Sequence, residues 1–497
     1  MTVEDAPTSR RARREAGAPT GPVAAEAPAT PAPDEGAAPE ASPETYAFVT
    51  ASTPRPSSRT ALAWLDDDAV AATAAVPAAL ADAAPDLLAR RPRRSPLRAG
   101  VVVPVLSVVG VVGAYAAATL LWPLSAVTPT VESIRIADIS SPASAVSWPA
   151  EGSAAVGVEG FDAVASSTND RAPIASISKV VTALMVLEQM PLSPGQSGPS
   201  FSFTSSDERE YNNYLAKDES ALDVPVGGSL TQYQMLQGML IGSAGNYTDR
   251  LASSIWPSDT VFAKAAADWL ARHHLSGITM VEPTGIDPEN SADPASLIAL
   301  ARLALADPVI AEIVKTPSVD LPGAGTVVNT NDLLSDPAVI GVKTGSLDTG
   351  YNLLAARQQT AGDATVRAYA VTLGQASHEE RNTQTARLLD EVAAEASQPR
   401  LVPAGTLAGV VTTKWGGAAN IVTDADASLL LWNGATAPVA SDISLGDART
   451  ANAAVGTATA TGPLGTTSTG LHLTGDLPDP DAWWRLTHPL ELWGLAG

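Results

Sequence analysis

The stretch Ala175-Ser176-Ile177-Ser178-Lys179-Val180-Val181-Thr182-Ala183-Leu184 decides how this chain is read. A serine stands just before an apolar run at helical period, and a lysine follows three residues later. Positions i and i+3 share a helix face, so the Lys179 amine can stand beside the Ser176 hydroxyl as base beside nucleophile. Alone, Ser-x-x-Lys is a weak motif, because a serine at that offset from a helical lysine is common by chance.

Lysine is scarce here, which sharpens the motif. The full set is Lys179, Lys217, Lys264, Lys315, Lys343 and Lys414. Lys343 opens Lys343-Thr344-Gly345 at the end of Val339-Ile340-Gly341-Val342, a run that reads as a strand entering a glycine turn. Burial and a second cation both lower an amine's pKa, and Lys179 needs a neutral amine to accept a proton. Lys343 is that second cation. Together with Thr344 it can also hold a carboxylate. Gly345 lets a substrate backbone lie close against the strand edge. The two motifs in this order are far more specific than either alone.

Composition narrows the chemistry. The chain has 497 residues, enough for two or three domains, and 45 % are hydrophobic. A formal net charge of −23 argues against nucleic acid as a partner. Without cysteine there is no thiol catalysis, disulfide or cysteine–zinc site. His273, His274, His378, His472 and His488 lack metal-ligand spacing, and adjacent His273 and His274 read as surface or structural residues. No metal and no cofactor is implied.

Residues 1–96, rich in Ala, Pro, Ser, Thr and acidic side chains, read as a disordered tail. Arg90, Arg91, Arg93, Arg94 and Arg98 then precede a charge-free run from 99 to 121, long enough to cross a hydrocarbon core of roughly 30 Å. We place a single transmembrane helix at 97–123, its arginine side cytoplasmic and the rest of the chain outside. The alternatives are a cleaved signal peptide and a buried core helix. The long preceding region and the length of the run argue against the first.

Beyond it, 131–165 suggests a β-hairpin leading into the Ser176 helix. Helices are expected over 178–190, 230–241, 248–255, 260–272, 296–305 and 379–396. Asp259 is the expected N-cap of the fourth and Asp293-Pro294 the start of the fifth. Segments 312–322 and 326–331 read as irregular or short. Strands are expected at 339–343, 351–357 and 365–373. This is an α/β (α+β) domain over 131–398, with strands from both ends of the segment. A small all-β domain follows over 403–497. Its aromatic end, Trp483-Trp484-Arg485-Leu486 with Leu492-Trp493, reads as core, partner surface or membrane-interface contact.

Four segments together resemble the penicillin-recognising serine peptidases of the D-alanyl-D-alanine carboxypeptidase family, with their β-lactamase/transpeptidase-like fold. They are Ile174 to Lys179, Met239-Leu240-Ile241-Gly242-Ser243-Ala244-Gly245-Asn246, Asn329-Thr330-Asn331-Asp332-Leu333-Leu334 and Gly341 to Gly345. The resemblance implies Ser176 as nucleophile, Lys179 as base and Ser243 as a proton relay. It also implies an oxyanion hole from the N–H groups of Ser176 and Ser346. Peptidoglycan stem peptides ending in D-Ala-D-Ala would be the substrate, and β-lactams covalent inhibitors. The family's second motif is Ser-x-Asn, and the register from Met239-Leu240 puts Gly245 at the Asn position, with Asn246 one residue on. Asn246 therefore either reaches the cleft through a shifted loop or caps the following helix. Asn329 and Asn331 either line the cleft or cap a turn. Pro283-Thr284-Gly285-Ile286-Asp287 reads as a structural turn.

The expected function is a membrane-anchored serine D-Ala-D-Ala carboxypeptidase of the bacterial cell membrane, single-pass, with the catalytic domain extracytoplasmic. A catalytically weak or inactive wall-binding protein and a β-lactamase are the alternatives. The lactamase would need a deacylating glutamate, and only Glu282, Glu289 and Glu312 lie between the second and third motifs.

Overall fold

In the strand Ser153–Val158 all six residues are buried. A strand covered on both faces needs apolar side chains on both. Ala154, Val156 and Val158 enter one core, and Ala155 enters the other. The strand is interior to a five-stranded antiparallel sheet, in the order Val339–Leu347, Gly350–Ala361, Ala364–Gln375, Ser153–Val158, Val164–Ser166. The same alternation sends Leu354, Ala356, Tyr369 and Val371 to the first core, that of Ala155, and Leu353, Ala355, Ala368 and Ala370 to the second, that of Ala154. The computed structural model describes residues 99–361 and 364–495. The tail over 1–96 and the arginine group Arg90 to Arg98 lie outside the described residues.

On one face pack the helices Ser178–Gln189, Gln232–Leu240, Gly245–Ile255, Asp259–Arg272, Pro294–Ala306 and Pro308–Val314. The helix His378–Ala396 covers the other face through Leu388, Leu389, Val392 and Ala393. This is the expected α/β architecture. Several boundaries differ. Ser258, not Asp259, caps the fourth expected helix, its hydroxyl accepting from Val261 N at 3.4 Å. The helix Ser205–Leu215 was not expected. Its start is a capping box, Thr204 with Asp207, which sequence reading passed over for want of an apolar period. The segment 312–328 contains the end of the helix Pro308–Val314 and a hairpin pairing Ser318–Leu321 with Gly325–Val328.

The hairpin expected over 131–165 is confined to 153–166. The strand Thr130–Ser133 instead pairs with Leu407–Thr412, at the edge of a six-stranded antiparallel sheet formed otherwise by C-terminal strands. Ile139–Ser140 likewise pairs with Thr436–Ala437. Trp432 joins the two parts of the chain. It is fully buried, packs edge-on against Phe161 with ring centroids 6.4 Å apart, and donates its indole N–H to Glu395 of the long helix at 3.0 Å.

The apolar run forms a single helix, Ala99–Leu121, with Pro104 inside it and Thr119 its one buried residue. Proline is tolerated in such helices when the freed carbonyl finds another partner.

Trp432→Ala is expected to destabilise the protein by about 3–5 kcal/mol, since it removes a buried indole and leaves a cavity. Denaturant titration should show this for the catalytic segment as well as for the C-terminal strands. Loss confined to the C-terminal strands would show that the two do not share a core.

Candidate active site

Ser176 lies in a short 3-10 turn, Ala175–Ile177, that runs straight into the helix Ser178–Gln189. The residue before it is strained: Ala175 has φ +51°, a region costly for any residue with a Cβ. Two glycines hold it there. A Cβ on Gly285 would stand 1.9 Å from the Ala175 carbonyl oxygen, and one on Gly345 would stand 3.0 Å from Ala175 Cβ. The same Cβ would stand 3.2 Å from Ser176 N, so the Ser176 amide faces the Lys343 strand closely. The bare α-carbon of Gly345 admits the Ser176 turn.

Lys179 is 1 % exposed. Its Nζ lies 2.9 Å from Ser176 Oγ and donates to Thr284 O at 2.6 Å. Burial pulls its pKa down to about 8, against the opposing pull of the Glu282, Asp249 and Glu219 carboxylates. Lys343, also 1 % exposed, is held well below its ordinary value, first by burial and then by the neighbouring charges of Lys179 and Arg381. Its Nζ contacts Thr344 O and Oγ1 at 3.2 and 3.3 Å, and Thr344 Oγ1 meets Thr330 Oγ1 at 2.6 Å. Sequence reading did not single out Arg381. It is buried on the helix His378–Ala396 and supplies a cation beside Lys343 that stays charged.

A cavity of about 400 Å³ opens over Ser176 and Lys179. Ser346, Tyr351 and His378 line one side, and Lys217, Asp218, Glu219 and Ser220 another. Tyr351 pairs across the strands with Ser346, and its ring meets His378 at 4.3 Å, tilted by 48°. Neither ring was legible as a site residue, since their approach depends on strand register and on where the long helix starts.

The second motif departs from expectation. Asn246 neither reaches the cleft nor caps the helix. Its amide donates to Leu222 O at 2.8 Å and accepts from Leu222 N at 3.1 Å, so its polar atoms are spent on the backbone of a neighbouring loop. The helix Gly245–Ile255 has Ala244 at its N-cap, without a side-chain cap. Gly245 is packed tightly. A Cβ there would stand 2.4 Å from the Tyr214 ring, and Gly245 N donates to Ser220 O at 2.8 Å. An asparagine at 245 would collide with Tyr214. Ser243 is buried, at φ +61°, between the helices Gln232–Leu240 and Gly245–Ile255. The residues Lys217 to Ser220 form the cleft wall that the motif residues were expected to form.

Asn329 and Asn331 are turn residues. Asn329 binds the carbonyls of Val314 and Thr316, and Asn331 accepts from Leu333 N. Glu282 is buried in the Pro283 turn. Its carboxylate accepts from Thr284 N, Thr284 Oγ1, Gly285 N, Asp287 N and Asn290 Nδ2. That turn carries the Thr284 carbonyl which holds Lys179. Among the described residues, no group of acidic or histidine side chains is arranged to hold a metal ion.

Residues 163–377 match the D-alanyl-D-alanine carboxypeptidase family. The match covers somewhat less than half of the chain. Curated relatives include D-alanyl-D-alanine carboxypeptidase DacB2 of Mycobacterium tuberculosis, 29 % identical over 35 % of this chain and 57 % of its own length. DacF of Bacillus subtilis is 28 % identical over 45 % of this chain and 57 % of its own. This chain thus spans somewhat over half the length of each. Among solved structures, penicillin binding protein 5 of Haemophilus influenzae aligns with 67 % of this chain and 99 % of its own, at 16 % identity and TM-score 0.45. The Streptomyces K15 DD-transpeptidase aligns with 50 % and 100 %, at 21 % and 0.43.

The geometry fixes the sign of the pH dependence. A lysine can accept a proton only when neutral, so with Lys179 as the base for Ser176, penicillin acylation should rise about tenfold per pH unit below roughly 8 and level off above it. Glu282 raises the Lys179 pKa, so Glu282→Gln should move the inflection to lower pH. A lower rate with an unmoved inflection would limit Glu282 to holding the turn.

Proposed function

We propose that this protein is a membrane-anchored serine D-Ala-D-Ala carboxypeptidase that trims peptidoglycan stem peptides outside the membrane. One observation carries the reading: a buried lysine with a lowered pKa stands 2.9 Å from a serine hydroxyl at the floor of an open cleft. Lys179 takes the Ser176 proton as Oγ attacks the carbonyl between the two D-alanines. The N–H groups of Ser176 and Ser346 stabilise the developing oxyanion. Lys179 returns the proton to the leaving amine, and terminal D-Ala departs. Water then hydrolyses the ester on Ser176 and frees the shortened peptide.

Lys343 and Arg381 bind the terminal carboxylate, with Thr344 between strand and substrate. Burial first, and then the charges of Lys179 and Arg381, lower the Lys343 pKa, and an incoming carboxylate favours its ammonium form. The anchor is the helix Ala99–Leu121, which is long and apolar enough to span a bilayer. The basic group ahead of it favours a cytoplasmic N-terminus in a single-pass arrangement. The β-lactamase alternative is weakened because the Glu282 carboxylate is already saturated by five donors. The low-activity reading draws on the engagement of Asn246 by Leu222, which removes an amide that could orient substrate. A misplaced positioning group costs on the order of 10²-fold, so a slow enzyme fits this site better than an inert one.

Purified protein is expected to release D-alanine from a pentapeptide ending in D-Ala-D-Ala, and Ser176→Ala to abolish the release. Lys343→Ala should lower kcat/KM for that peptide more than for its C-terminal amide. Undiminished release by Ser176→Ala would overturn the mechanism, and equal losses on both peptides would remove the carboxylate from Lys343.

A further inference from the structure

The aromatic C-terminal end lies outside both hydrophobic cores, with Leu492 its one buried residue. No residue of the helix Ala482–Thr487 is buried, and Trp483 is 73 % exposed. The segment is instead built onto the exit of the apolar helix. Arg485 donates to the carbonyls of Leu120 and Trp122, at 3.2 and 2.9 Å, which serves the unpaired carbonyls of the helix end. Tyr115 donates its hydroxyl to Leu486 O at 2.7 Å. Trp122 meets Trp493 edge-on at 6.1 Å, and Trp415 meets Trp484 at 5.6 Å. Around this aromatic cluster Leu121, Leu490 and Leu495 are also exposed.

We infer that 482–495, with Trp122, is a membrane-interface foot that bears on the lipid headgroup–acyl boundary where the helix leaves the bilayer. The inference rests on the anchored reading above. Indole rings pair an apolar body with an N–H and favour that boundary, and leucines beside them can enter the acyl edge. Lipid is the occupant because the foot continues directly from the last turn of an apolar helix, so it starts at the membrane surface. The bond from Arg485 to the helix carbonyls keeps it there. Within 482–495 Arg485 and Glu491 are the charged residues and cancel, so the contact does not depend on anionic lipid.

The absence of cysteine makes the test clean, since each introduced thiol takes the only label. Trp483→Cys, Leu490→Cys, Val328→Cys and Val108→Cys in the full chain would each carry an environment-sensitive fluorophore in phosphatidylcholine vesicles. Val328, 68 % exposed on the Gly325–Val328 strand, is the aqueous control, and Val108 reports on the apolar helix. Labels at 483 and 490 should be quenched by headgroup nitroxide lipid and several-fold less by aqueous iodide than the label at 328. Iodide quenching equal to that at 328, with 108 quenched by lipid nitroxide, would overturn the foot and leave the anchor standing. Shielding from both quenchers would mean a protein partner or second copy covers the patch, which also overturns it. A label at 108 that lipid nitroxide does not quench would overturn the anchor and the foot together.

Discussion

The site depends on burying a lysine amine without giving it a full counter-charge. Lys179 has 1 % exposure, a serine hydroxyl at 2.9 Å and a backbone carbonyl at 2.6 Å. Desolvation favours the neutral amine, and the carboxylates of Glu282, Asp249 and Glu219 restrain the shift. The balance leaves a pKa of about 8, where the group can both take and return a proton near neutrality. Had the carboxylates dominated, the amine would be a permanent ammonium ion and no base. A pKa driven much lower would make it a weak acceptor.

Much of the surrounding architecture serves that placement. The Thr284 carbonyl is held by a turn whose backbone N–H groups converge on Glu282. The left-handed backbone at Ala175 is wedged between Gly285 and Gly345, which presses the nucleophile turn against the Lys343 strand. Strain of this kind persists only where the surroundings over-determine it. Here they do so from two sides, the Pro283 turn and the edge of the central sheet. The sheet itself is held by cores on both faces, and the second core is shared with the C-terminal strands through Trp432. The C-terminal strands thus brace the face of the sheet opposite the catalytic helices.

The pairing of Ser176 with Lys179 was legible because it is local. Ser176 and Lys179 are one helical turn apart, and Lys343-Thr344-Gly345 is a single strand segment. The apolar helix and most elements also declared themselves through period and charge. What was not legible depends on non-local packing. The strand Thr130–Ser133 follows the helix in sequence, yet pairs with residues near 410. Gly245 looks like a lost asparagine until the Tyr214 ring is seen against it. The cleft wall of Lys217 to Ser220 has no motif, and Asn246 binds a loop more than twenty residues away in sequence. Asn246 was misread because an amide beside a catalytic motif looks the same in sequence whether its polar atoms face substrate or backbone.

The most direct test of the central claim is intact-mass measurement of the protein after exposure to benzylpenicillin, with peptide mapping of any adduct. A neutral, buried Lys179 activating Ser176 predicts one penicilloyl group per chain, mapped to Ser176 and long-lived. An unmodified chain, or an adduct on any other residue, would contradict it.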